Sequence, residues 1–192
     1  MATRPIRPDL RPWLAAPAIL LSTTLATAED AVCYHANGEQ GEIRIAFEID
    51  GAGFSGRFRD FEAEYCMPGD DPEAGTIRVT VDIGSVATGN RDLDIGMQER
   101  DGLAVDDHPQ ARWETTRIHQ QNDTYHIEGQ MTLRGETRHE SGRFQLAPEG
   151  DGWRLTGDST VNRLDYGVGT GEFRDTEFIP DPVRVTFDLH FR

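Results

Sequence analysis

The last ten residues constrain the fold more than any other stretch of the chain. Val183, Val185, Phe187, Leu189 and Phe191 alternate with Arg184, Thr186, Asp188 and His190. A period of two puts all five apolar side chains on one face of a strand, and no helix can do that. The same pattern recurs upstream. Ile43, Ile45, Phe47 and Ile49 alternate with Arg44, Ala46, Glu48 and Asp50, and Ile77, Val79, Val81 and Ile83 with Arg78, Thr80 and Asp82. Phe54–Tyr65, Ala111–Ile118, Tyr125–Leu133, Arg143–Leu146 and Trp153–Val161 read as further extended stretches, each bounded by Gly, Asn, Asp or Pro. About eight strands separated by turn signals predict an all-β protein, either an antiparallel barrel or a sandwich. One segment between strands, Asn90–Arg100, reads instead as a short surface helix. No repeat, low-complexity tract or linker divides the remainder, which is read as one domain.

The first 28 residues read as an address. Arg4, Arg7 and Arg11 form a cationic start, Trp13–Leu25 is an apolar run of 13 residues, and Ala26-Thr27-Ala28 supplies an A-x-A cleavage site. The run is too short to span a bilayer and is broken by Pro17, so the pattern is that of a cleaved secretory signal peptide. The mature chain is then residues 29–192, expected in the periplasm. It keeps both cysteines, Cys33 and Cys66. In an oxidising compartment an even pair favours a disulfide over a metal site or two buried thiols. Closing a loop of about 33 residues is worth roughly 3–4 kcal/mol by loop entropy.

Charge excludes some partners. The formal net charge is −15, and all 19 basic residues are Arg. Such a chain is repelled by nucleic acid and by anionic lipid headgroups. Nothing marks a catalytic centre: there is no G-x-S-x-G elbow, and a bonded Cys pair has no thiolate to offer Cys–His chemistry. The six His residues show neither H-x-x-x-H nor HExxH spacing, so no metal site is expected.

Alternation says which side chains face inward but not whether the interior is filled. A small barrel is either a solid core or the wall of a ligand site. The inward set, Ile45, Phe47, Phe58, Val81, Trp113, Met131, Phe187 and Leu189, is the candidate lining, with a packed core as the competing reading. Arg163 joins the candidate ligand set because, with Asp165 and Tyr166, it could contact a polar head. The preferred account of that trio is local: a salt bridge and an aromatic cap that fix the Gly167-Val168-Gly169 bend.

Four motifs, in order, carry a family resemblance. They are Ser85-Val86-Ala87-Thr88-Gly89-Asn90-Arg91-Asp92, Asp107-His108-Pro109-Gln110-Ala111-Arg112-Trp113, the hairpin Tyr125–Arg138 (YHIEGQMTLRGETR), and Asn162-Arg163-Leu164-Asp165-Tyr166-Gly167-Val168-Gly169. Together they resemble the YceI-like family of secreted polyisoprenoid-binding proteins over roughly Ile43 to Phe191. The resemblance implies a lipocalin-like antiparallel barrel whose apolar interior holds an isoprenoid chain. The chain departs from the family pattern at Arg138-His139-Glu140-Ser141-Gly142-Arg143, where apolar alternation is usual, and at its opening Cys33–Gly38 segment.

The expected function is therefore a non-enzymatic periplasmic carrier, without cofactor, for a polyisoprenoid or isoprenoid quinone. Each buried CH₂ contributes about 0.8 kcal/mol, so two or three sheathed isoprene units offset the entropy of association. A polar head would sit at the barrel mouth, where Arg or Asn donates hydrogen bonds. The alternative is a filled barrel acting as an interaction module, in transient contact with a membrane or with a membrane cytochrome whose quinone it serves. An enzyme acting on a lipid head ranks third.

Overall fold

The computed structural model describes residues 31–69 and 71–192. The expected signal peptide, residues 1–28, lies outside them. Among the described residues the chain forms eleven strands: β1 Ala31–Asn37, β2 Gly41–Ile49, β3 Ala52–Phe58, β4 Phe61–Pro68, β5 Thr76–Asp82, β6 Val86–Ala87, β7 Gln110–Gln121, β8 Thr124–Leu133, β9 Glu136–Glu149, β10 Gly152–Asn162 and β11 Pro182–Phe191. One helix, α1 Arg91–Gln98, sits between β6 and β7. Asn90 caps it: its side chain accepts from the backbone amides of Asp92 and Leu93, donors that the first turn leaves unpaired.

The strand count exceeds the expected eight for three identifiable reasons. The Phe54–Tyr65 stretch bends at Arg59-Asp60 and becomes two strands, β3 and β4. The Cys33–Gly38 region, unpromising in sequence, adds a strand against β4, with Cys33 directly opposite Cys66. The two-residue β6 pairs with Arg57 and Phe58 of β3 and is too short to carry a pattern. The all-β barrel class stands.

The sheet runs in the order β1-β4-β5-β7-β8-β9-β10-β11-β2-β3-β6, with antiparallel pairing. It closes by splitting its seam. At one end of β11, Arg192 and His35 of β1 exchange two backbone hydrogen bonds of 2.9 Å, so β1 and β4 join β11 to β5. Along the rest of β11, Arg184–Leu189 pair with β2, and the wall passes through β3 and β6 back to the turn after β5. The β3–β4 bend carries the chain from one branch to the other. There the amide of Asp82 donates to the carbonyl of Asp60 (2.9 Å) and the Ser85 hydroxyl oxygen accepts from the amides of Arg59 and Asp60.

Local chemistry fixes the register. Between β8 and β9, Arg134 and Gly135 both take positive φ, 51° and 78°, the backbone of a two-residue hairpin turn whose twist matches its strands. In β7 a bulge between Thr115 and Arg117 shifts the pairing with β8, and it brings Ile118 onto the buried side. On the other edge the Thr115 hydroxyl accepts from the Ile77 amide and donates to the Ile77 carbonyl, so a side chain completes the ladder. The main core lies at the β1 end, around Tyr65, Met67, Phe144, Leu155 and Phe191. A second cluster, Ile83, Val86 and Leu103, plugs the end carrying α1.

Candidate ligand-binding site: an apolar slot between two cores

Between the two clusters the barrel is not filled. A cavity of about 160 Å³ opens there, comparable to the engineered apolar cavity of about 150 Å³ that takes up benzene. Its walls come from Ile43 of β2; Ile77, Val79 and Val81 of β5; Trp113 of β7; Ile127 and Met131 of β8; Phe144 of β9; Leu155 and Val161 of β10; and Val185, Phe187 and Leu189 of β11. Along β10 the lining runs from Leu155 to Val161, about 20 Å of strand at roughly 3.3 Å per residue. A small volume over that length is a slot, the shape of a chain.

Inward glycines shape it. A Cβ on Gly129 would lie 2.5 Å from the Trp113 indole, and one on Gly157 2.4 Å from the Phe187 ring. Each ring therefore lies flat over the neighbouring strand where any side chain would push it into the slot. Gly142, also on the lining, would meet the Asp158 carbonyl at 3.0 Å.

The charged residues on the lining are Arg112 of β7, whose guanidinium donates to Gln110 (3.1 Å), and Glu140 of β9. Glu140 sits two residues from Gly142 and four from Phe144 on β9, all on the same face. Gly142 pairs with Ser159, which places Glu140 toward the Val161 end, away from Leu155. There the Tyr166 hydroxyl donates to Glu140 Oε1 at 2.8 Å. Tyr166 is 1% exposed; burial first, and then the hydrogen bond to Glu140, push its phenol well above the ordinary tyrosine value. It stays a neutral donor. The Ser159 hydroxyl is turned onto the Ser141 carbonyl (2.8 Å).

Of the eight apolar candidates, Val81, Trp113, Met131, Phe187 and Leu189 line the slot. The other three sit elsewhere. Ile45 and Phe58 pack on the Ile83–Val86–Leu103 cluster, and Phe47 stacks on Phe54 with ring centroids 6.0 Å apart. The β2–β3 hairpin leaves the slot after Ile43, so the inward face of its outer half meets a core instead. Arg163 also lies outside the lining. Its guanidinium donates to the carbonyls of Pro180, Val168, Gly169, Phe173 and Ile179, and burial lowers its pKa against the pull of Asp181. It fastens the loop between β10 and β11. Sequence reasoning overlooked Leu155, Phe144, Ile127 and Val161 as lining although they lie in strands it found. It also missed Glu140, whose polarity hides it among exposed charges.

Cys33 and Cys66 form a disulfide with an S–S distance of 2.04 Å. The group of metal-type ligands found among the described residues, Cys33, Glu64 and Cys66, has both sulfurs in that bond. No helix of the described residues is long and apolar enough to cross a membrane.

A closed antiparallel wall around an elongated apolar slot defines a lipocalin-like binding barrel. The chain belongs to the YceI family: residues 34–191 match the model of the YceI-like domain. A UPF0312 protein of Pseudomonas aeruginosa is 30% identical over 162 residues, covering 79% of this chain and 85% of its own. One from Pectobacterium atrosepticum is 30% identical over 166 residues, with 79% and 86% covered. Among solved structures, BcnA of Burkholderia cenocepacia superposes with a TM-score of 0.76 at 21% identity, over 80% of this chain and 98% of that one. A polyisoprenoid-binding domain from Saccharophagus degradans, implicated in plant cell wall breakdown, does so at 0.62 and 12% identity, over 82% and 97%. At those identities the structural likeness speaks for the fold.

Proposed function

We propose that this protein is a non-catalytic periplasmic carrier that holds a polyisoprenoid or an isoprenoid quinone in the slot between β5 and β11. The observation that carries the reading is the slot itself: about 160 Å³ of unfilled space, walled by aliphatic and aromatic side chains, where a packed core would have interdigitated. Its size favours a short stretch of chain, about one or two isoprene units. The polyisoprenoid-binding domain of Saccharophagus degradans shares the fold and supports a lipid of this class. The sequence of residues 1–28 supports export.

The test is mass spectrometry of an organic extract from natively purified protein. A stoichiometric isoprenoid or quinone is expected. An empty extract, together with no binding and no rise in melting temperature on adding an isoprenoid quinone, would overturn the reading and leave the filled-barrel interaction module in front.

A further inference from the structure

Resting on that reading, we infer that the slot limits the length of chain it grips, and that the rings of Trp113 and Phe187 set the limit. It sheathes at most two isoprene units and gains nothing from a longer chain. The walls present carbon almost everywhere, so hydrogen bonding gives the slot little with which to tell one apolar chain from another. What differs between such chains is volume. A space of about 160 Å³ is close to the cavity of about 150 Å³ that benzene enters. It has room for one isoprene unit and part or all of a second. The space ends where packing begins. Toward β1 it stops at Phe144, Leu155 and Leu189 of the main core, and toward α1 at Val81 and Ala111, which pack on the second cluster. A third unit would have to displace one core or the other.

Between those ends the two rings set the width. Trp113 of β7 lies over Gly129 of β8, and Phe187 of β11 lies over Gly157 of β10. In the strand order β7-β8-β9-β10-β11 both rings therefore lean toward β9 from opposite sides, and both are on the lining. A glycine contributes no side chain, so each ring is the sole occupant of the volume above its glycine. At an ordinary core position the surroundings relax into part of the gap that a smaller side chain leaves. Over glycine only backbone lies beneath, and the freed volume passes to the ligand. Shrinking either ring should lengthen the stretch of chain that the slot can take.

The experiment titrates the protein calorimetrically with prenol, geraniol, farnesol and geranylgeraniol, which share one headgroup and each add one isoprene unit to the last. A fully sheathed unit strengthens binding by about a hundredfold or more. The native protein is expected to gain from prenol to geraniol and then level off, with the three longer alcohols within about threefold of one another. In Trp113→Val, and separately in Phe187→Val, farnesol should bind about tenfold or more tighter than geraniol. Valine keeps the strand preference at both positions, and melting curves establish which variants are folded at the temperature of titration. An affinity that climbs by about tenfold or more at every step in the native protein overturns the length limit and leaves the lipid reading standing. A native plateau that persists in the folded variants takes the limit away from the two rings and overturns the inference as well. Should neither variant fold, the native ladder decides by itself. If no alcohol binds, the inference and the lipid reading both fall.

Discussion

Arg163 is the one buried charged side chain among the described residues, at 5% exposure, and its five acceptors are the backbone carbonyls of Val168, Gly169, Phe173, Ile179 and Pro180. A guanidinium in this setting tolerates burial because its fixed fork of donors is matched, so removing it strands several carbonyls at once. Arg163→Ala should therefore destabilise the protein by about 3 kcal/mol, a fall in Tm of roughly 6–12 °C for a chain of this size. Lysine, with a compact ammonium in place of the fork, should recover only part of that. Thermal melts followed by circular dichroism, paired with lipid titration well below Tm, separate the roles. A variant that melts normally but no longer binds would return Arg163 to the ligand site.

Among the elements, β10 shows how close approach sets the slot. A Cβ at Gly157 would meet the Phe187 ring and also the Arg143 carbonyl of β9, at 2.2 Å. The side chain could swing; the strand backbone cannot do so cheaply. Gly157→Ala should cost about 2 kcal/mol, read as a lower midpoint in urea, and should weaken lipid binding because Phe187 is pushed into the slot. Unchanged stability would mean that β9 and β10 are not packed as closely as described. The same elements explain what the sequence could reveal. Strands β2, β5, β8, β10 and β11 announce themselves because one face is buried and its residues are large. Strand β9 was legible only at Arg143–Leu146, yet it spans Glu136–Glu149. Of its inward positions in the slot, Glu140, Gly142 and Phe144, only Phe144 registers as apolar. Period two also fixes a face, not a destination, and so Ile45, Phe47 and Phe58 share the inward face of the wall without reaching the slot.

At the scale of the whole molecule, the split seam separates what holds the barrel shut from what lines the slot. Strand β1 is bonded to β4 along its length, but it meets β11 only around His35 and Arg192. The Cys33–Cys66 bond pins β1 to β4 near the end of the barrel far from α1. None of the described slot-lining residues belongs to β1 or β4. Replacing both cysteines by serine should then act on stability and leave the slot alone. Releasing a loop closed across a sequence separation of 33 residues should cost about 3 kcal/mol by loop entropy, or roughly 6–12 °C in Tm. At about 15 °C, near the usual temperature of maximum stability, the variant remains folded and its lipid affinity should stay within about twofold of the native value. Melting curves under oxidising and reducing conditions check the first half, because the native protein with reductant should approach the double variant. Titration of the folded variant checks the second. A folded variant that has lost its ligand would show that the β1–β4 branch shapes the slot from outside, and that closure and binding are one event.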